Sequence, residues 1–409
     1  MDRIEEALLR RFLRYSTIPS ESKAGVSTVP SSVGQRKLAE LLLTELEDMG
    51  ATDIHLSQHS VLTARFPGNV EGRKTIGWIC HLDTVDVSLS PVVHPMLVEN
   101  YQGQDIVREK GKTITLSDRP ELRDHIGKDI LFSDGSSVLG ADDKAAIAIV
   151  MEALDTLRRD DNLSHGDIIV AFVPDEEVGL KGAKAMDLSR FPVDWAYTID
   201  CCRKGEVVWE TFNAGEAEVT FEGITAHPMS SKGVLVNPIL MANDFLSLFS
   251  RDETPENTEG KEGFIYAKGI EGGARVCSLR LLIRDHSREK YEEKKNTIRK
   301  NAEKIRELYP RGKVEVTISD TYGNILDAVT EDNRIAIHNL KEALKANGIE
   351  EIPLSMRGGT DGSFISTKGI LVPNYFTGAL NFHSSEEFWP LEDGKASYLV
   401  TLSLMTGSC

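Results

Sequence analysis

Five short segments place carboxylates or imidazoles at the ends of apolar runs: Cys80-His81-Leu82-Asp83, Gly140-Ala141-Asp142-Asp143-Lys144, Pro174-Asp175-Glu176-Glu177, Thr198-Ile199-Asp200 and Asn381-Phe382-His383. Residues 75–80, 167–173 and 195–199 are short and apolar enough to read as buried strands. In a parallel α/β sheet the carboxyl ends of such strands share one rim, where ligands bind. Three of the segments, and by extension all five, then converge on one place. Carboxylates packed that densely repel one another and desolvate badly unless a cation lies between them. The pattern predicts a metal centre.

A chain of 409 residues exceeds one ordinary core, so two domains are expected. An apolar content of 40% with 27% charged residues describes a soluble globular protein. No apolar stretch approaches the roughly 18 residues of a membrane span. Ile4, Leu8, Leu9 and Phe12 fall at helical spacing in a charged N-terminus, which reads as an amphipathic helix and not a secretory signal. The five cysteines (Cys80, Cys201, Cys202, Cys277, Cys409) form no CxxC pair and no framework, which fits a reducing cytoplasm. A net charge of −17 argues against nucleic-acid partners and weakly favours substrates with a free amine.

Helical periodicity over residues 33–49 follows Ser31-Ser32 and stops at Gly50. Strands at 53–56, 61–66, 75–80, 167–173 and 195–199 alternate with a helix at 142–157, the order of a mostly parallel sheet. After Gly205 the pattern changes. Strands at 206–211, 216–222, 275–283 and 313–319 with helices at 238–249 and 289–308 predict a smaller open sheet with two helices, inserted into the first domain. The chain then resumes with a helix at 331–347, a strand-like stretch at 369–372 and a last helix at 392–405. The expected domains are residues 1–207 with 321–409, and 208–320.

His81 and Asp83 are two apart at a strand end, so both side chains leave on one side. One can ligate a metal while the other orients it. Asp142 and Asp143 open a helix, where an anion is favoured, and simple helix capping is the structural alternative. Glu176 and Glu177 leave a buried strand facing different ways, so one can touch metal while its neighbour handles protons.

Together with Ser22-Lys23-Ala24-Gly25-Val26, His165-Gly166-Asp167, Ala226-His227-Pro228, Ile283-Arg284-Asp285 and Arg357-Gly358-Gly359-Thr360-Asp361-Gly362, these segments resemble the M20 family of di-zinc metallopeptidases over essentially the whole chain. The resemblance implies an α/β fold: a mostly parallel-sheet zinc-peptidase domain carrying an inserted α/β lid and dimerisation domain, with a four-stranded antiparallel sheet and two helices. It implies two Zn²⁺ per subunit, with His81 and Asp200 on one, Glu177 and His383 on the other, and Asp142 bridging. Asp83 would hydrogen-bond His81, and Glu176 would act as general base. His227 would assist the oxyanion, and Arg284 and Arg357 would grip the peptide carboxylate. The implied activity is removal of the N-terminal residue from short peptides, chiefly tripeptides, by a cytoplasmic homodimer. Another M20-type amidohydrolase (dipeptidase, carboxypeptidase or N-acyl amino acid deacylase) and a non-catalytic binding relative are the alternatives. Three stretches depart from the family pattern: Cys201-Cys202 after Asp200, where a vicinal disulfide is conceivable; Met229 after His227-Pro228; and Ser384-Ser385-Glu386-Glu387 after His383.

Overall fold

The apolar runs form the middle of an eight-stranded sheet in the computed structural model, which describes residues 1–407. Its order is Thr52–Leu56, Leu62–Phe66, Ile168–Val173, Ile76–His81, Trp195–Cys201, Asn374–Phe376, Glu206–Thr211 and Ile352–Met356. Four central strands, Ile168–Val173, Ile76–His81, Trp195–Cys201 and Asn374–Phe376, run parallel. All six residues of Ile168–Val173 are buried, which is why they read as a continuous apolar run without alternation. Helix Ala141–Arg159 is buried through nearly all of its length and packs against Ile76–His81 and against helices Arg3–Ser16 and Leu391–Thr406. Helix Val33–Asp48 starts beside Ser32, whose side chain makes no capping bond. Among the described residues no helix is long and apolar enough to cross a membrane.

The chain divides into two compact units. The first comprises Met1–Trp209, Ala328–Leu354 and the chain from Thr360 onward; the second comprises Glu210–Asp327 and Ser355–Gly359. The second unit holds an antiparallel four-stranded sheet in the order Phe264–Gly272, Val276–Asp285, Asn213–Glu222, Lys313–Tyr322. One face is apolar: Ala217, Val219, Phe221, Leu279, Leu281 and Ile283 pack under helices Pro238–Leu246 and Arg288–Leu308 through Met241, Phe245, Tyr291, Ile298 and Ile305.

Three expectations are corrected. Glu206–Thr211 joins the large sheet and not the small one, because its Val207 and Val208 pair with Tyr375 and Asn374 and are fully buried. The fourth strand of the small sheet is Phe264–Gly272, an edge strand with only Ile265 buried, so it carries little alternation. The strand-like stretch expected at 369–372 lies further on, at Asn374–Phe376. Leu371 and Pro373 still offer carbonyls to Ala196 and Thr198, but Pro373 has no N–H to return. The sequence also gave no sign of a third sheet, Phe388–Pro390, Ile130–Ser133 and Pro95–Val98, backed by a small cluster around Tyr101, Ile106 and Phe132.

Candidate metal centre

His81 ends its strand with the imidazole fixed from both sides. Nδ1 lies 2.9 Å from the Asp83 main-chain carbonyl, which selects the tautomer with hydrogen on Nδ1 and leaves the Nε2 lone pair free. Nε2 sits 2.8 Å from Asp142 Oδ1. The Asp83 carboxylate is farther from His81, at 3.5 Å. Its oxygens accept the main-chain N–H groups of Glu176 and Glu177 at 3.0 and 3.2 Å, tying this strand end to the turn after its neighbour.

Asp142 reaches both ways. Its Oδ2 lies 3.0 Å from His383 Nε2, so each oxygen faces a different histidine. The same His383 nitrogen is 2.8 Å from Glu177 Oε1, an atom that is buried and makes no hydrogen bond despite that contact. One ring nitrogen has a single lone-pair direction and cannot bond two carboxylates, whereas a cation between them satisfies all three. Ligand atoms of three groups lie within 4.8 Å of one another: His81, Asp142, Asp143 and Asp200; His81, Glu176 and Glu177; and Asp142, Glu177 and His383. The donors are all oxygen and imidazole nitrogen, a set suited to zinc and other divalent transition ions. The residues present fit a pair of divalent cations sharing Asp142.

The electrostatics agree with that fit. Burial pushes the Asp200 carboxyl well up, and neighbouring Asp142 adds to it. Glu176 is half-buried by surface area, yet burial around its carboxyl, with the charge of Asp361, raises it strongly. The bond to Asp142 and the adjoining Glu177 carboxylate lift His383 to about 10. Burial alone would lower His81, but its bond to Asp142 and the surrounding carboxylates raise it. Without cations the cluster therefore holds protons in their place.

The turn bearing Glu176 and Glu177 is pinned from beneath. Asp175 is fully buried at φ 58°, a left-handed conformation rare outside glycine. Its carboxylate accepts from Ser31 N–H (2.7 Å), Ser31 Oγ (2.5 Å) and Gln35 Nε2 (2.8 Å). Ser31, which flanks a helix, thereby anchors the turn that bears Glu176 and Glu177.

Asp142 and Asp143 do not cap their helix. Both have non-helical backbone angles, the peptide between them is cis, and Asp143 Oδ2 accepts the His81 N–H at 3.0 Å. The anion at this helix start is Glu387, which accepts from Gly140, Ala141 and Asp142. Sequence reading missed Glu387 as a site residue. It also missed Asp361, which is buried with Oδ1 unpartnered and pushed by burial to about 7.

Three expected site residues belong to the second unit. His227 accepts the Met229 N–H through Nδ1 at 3.2 Å, while the Met229 side chain is 90% exposed and takes no part. Arg284 donates to the Gly215 and Ile283 carbonyls. Arg357 lies over Phe212 and Phe264 and donates to Gly260 and Glu262 carbonyls and to Thr258 Oγ1. Cys80, Cys201, Cys202 and Cys277 are free thiols, so Cys201 and Cys202 form no disulfide; Cys409 lies outside the described residues.

The model of peptidase family M20/M25/M40 matches residues 140–406, and that of peptidase family M28 matches residues 62–201. A Peptidase T-like protein of Rhizobium meliloti (strain 1021) is 48% identical over 404 residues, covering 98% of both chains. Peptidase T of Vibrio parahaemolyticus serotype O3:K6 is 39% identical, covering 97% of both. Among solved structures, aminopeptidase PepT from Bacillus cereus ATCC 10987 superposes with a TM-score of 0.76 at 20% identity, covering 98% of both chains.

Proposed function

The chain belongs to peptidase family M20/M25/M40, and on that footing we propose that it is a two-zinc aminopeptidase removing the N-terminal residue from short peptides, chiefly tripeptides. The observation that carries this reading is Asp142, with one carboxylate oxygen toward each of two histidines. Relatives named Peptidase T, matched over nearly their full length, support the exopeptidase class.

His81 and Asp200 would hold one zinc, Glu177 and His383 the other, and Asp142 both. Such a pair, when bound, supplies Lewis acidity and a water whose pKa falls toward about 7. Glu176 is the proton carrier: a carboxylate oxygen takes the proton of the attacking water and returns it to the leaving amine. In the metal-free protein, burial raises the proton affinity of the Glu176 carboxyl. The Asp83 carboxylate fixes the main chain of Glu176, and its carbonyl fixes the His81 ring. His227, with Nδ1 engaged by Met229 N–H, keeps Nε2 as a donor suited to a developing oxyanion. Arg284 and Arg357 are assigned to the peptide carboxylate through the guanidinium N–H groups not already donated within their own unit. The cysteine pattern supports a cytoplasmic location. A homodimer is proposed from the family resemblance alone.

The test is a substrate panel with zinc-loaded protein. Release of alanine from Ala-Ala-Ala, with N-acetylated peptides inert, is expected; cleavage of acylated substrates alone would overturn the aminopeptidase reading. Glu176→Ala should retain its zinc and lose at least about 100-fold in kcat. Unchanged turnover would remove Glu176 from the proton-carrying role.

A further inference from the structure

The loop that bears His383 touches Asp142 twice. Leu380 and Phe388 exchange main-chain hydrogen bonds of 2.9 and 3.1 Å, closing the intervening residues into a small excursion. Asn381 and His383 both sit at positive φ, 61° and 59°, so the loop's shape has to be imposed by its contacts. At one point the His383 ring meets the Asp142 carboxylate at 3.0 Å. At the other, Glu387 accepts Gly140 N–H on Oε2 at 2.8 Å, and Ala141 and Asp142 N–H on Oε1 at 2.8 and 3.2 Å. Glu387 is 1% exposed, and both its oxygens are used. The result is a closed circuit: imidazole, Asp142 side chain, Asp142 main chain, Glu387 carboxylate, and back along the loop.

We propose that Glu387 is a positioning residue for the metal centre, setting the separation of His383 from Asp142 by holding the Asp142 main chain and the His383 loop in one clasp. Three donors converging on two oxygens need a carboxylate of this length. An aspartate still places an anion at the helix start but draws the loop inward by a methylene. A glutamine turns an amide against one of the N–H groups. Both leave Asp142 and His383 in place as side chains while disturbing the distance between them. The inference rests on the two-cation reading of the cluster and adds to it a residue that touches neither cation.

The experiment uses full-length Glu387→Asp and Glu387→Gln proteins beside the parent. It measures zinc stoichiometry and both dissociation constants by chelator competition, together with thermal melting of the metal-free forms. Outer partners of metal ligands commonly govern affinity by 10- to 100-fold. Glu387→Asp should melt near the parent when metal-free, and the weaker of its two zinc affinities should fall by about 10-fold or more. Glu387→Gln should show at least as large a loss. If Glu387 only caps the helix, aspartate would serve as well, and parental affinities in Glu387→Asp would overturn the proposal whether or not Glu387→Gln folds. A parent protein that itself binds fewer than two zinc ions would instead sink the underlying metal reading.

Discussion

His383 Nε2 faces two carboxylates that no single hydrogen bond can satisfy, and the residues beneath the Glu176–Glu177 turn explain how Glu177 stays aimed. Asp175 is the clearest support at this scale. Its carboxylate gathers three donors from Ser31 and Gln35 while its backbone holds a left-handed turn. Asp175→Ala strands those donors in the interior and should cost about 2–4 kcal/mol, read as a lowered urea midpoint. Asp175→Asn, which tolerates the left-handed region and keeps one acceptor, should cost less. The proposed ligands His81, Asp142, Glu177, Asp200 and His383 drew notice because each lies in a segment at the end of an apolar run, and the family resemblance named them as a set. Asp175 and Glu387 were not legible: their roles are set by donors far away in the chain, Ser31 and Gln35 for one and Gly140 to Asp142 for the other.

Strands buried on both faces, such as Ile168–Val173, announce themselves by continuous apolar residues. Edge strands and strands of three or four residues do not. That is why Phe264–Gly272, the three-residue Asn374–Phe376 and the sheet containing Ile130–Ser133 and Pro95–Val98 escaped sequence reading, although Ile76–His81, Ile168–Val173 and Trp195–Cys201 did not. Glycine inside a strand is the opposite case, a legible residue whose reason is visible only in three dimensions. Gly215 lies in Asn213–Glu222, where a Cβ would run into the Tyr291 hydroxyl and come within 2.8 Å of the Ser319 carbonyl. That hydroxyl donates to Asp320 at 2.5 Å, so it cannot yield freely. Gly215→Val should destabilise the second unit by about 1–3 kcal/mol, seen in hydrogen exchange of Asn213–Glu222 and Lys313–Tyr322.

For the whole molecule, proton and metal binding compete at one cluster. His383, raised to about 10, and Asp200, raised by burial, both bind protons more tightly folded than unfolded when cations are absent. With more protons on the folded state, stability falls as pH rises. The His383 share, reduced by its partial exposure, is fully present below the ordinary histidine range and is lost as pH climbs through about 10. Metal-free protein should therefore melt lower at pH 9 than at pH 6.5. Zinc-loaded protein should not follow it, so the gap between the two melting temperatures should widen with pH. The same competition means that zinc uptake releases protons, measurable as a buffer-dependent heat of binding. Anomalous diffraction from crystals of zinc-saturated protein reads directly whether Asp142 joins two cations. Two peaks per chain are expected, one beside His81 and Asp200 and one beside Glu177 and His383, with Asp142 reaching both. A single peak, or zinc bound away from Asp142, would contradict the two-cation reading.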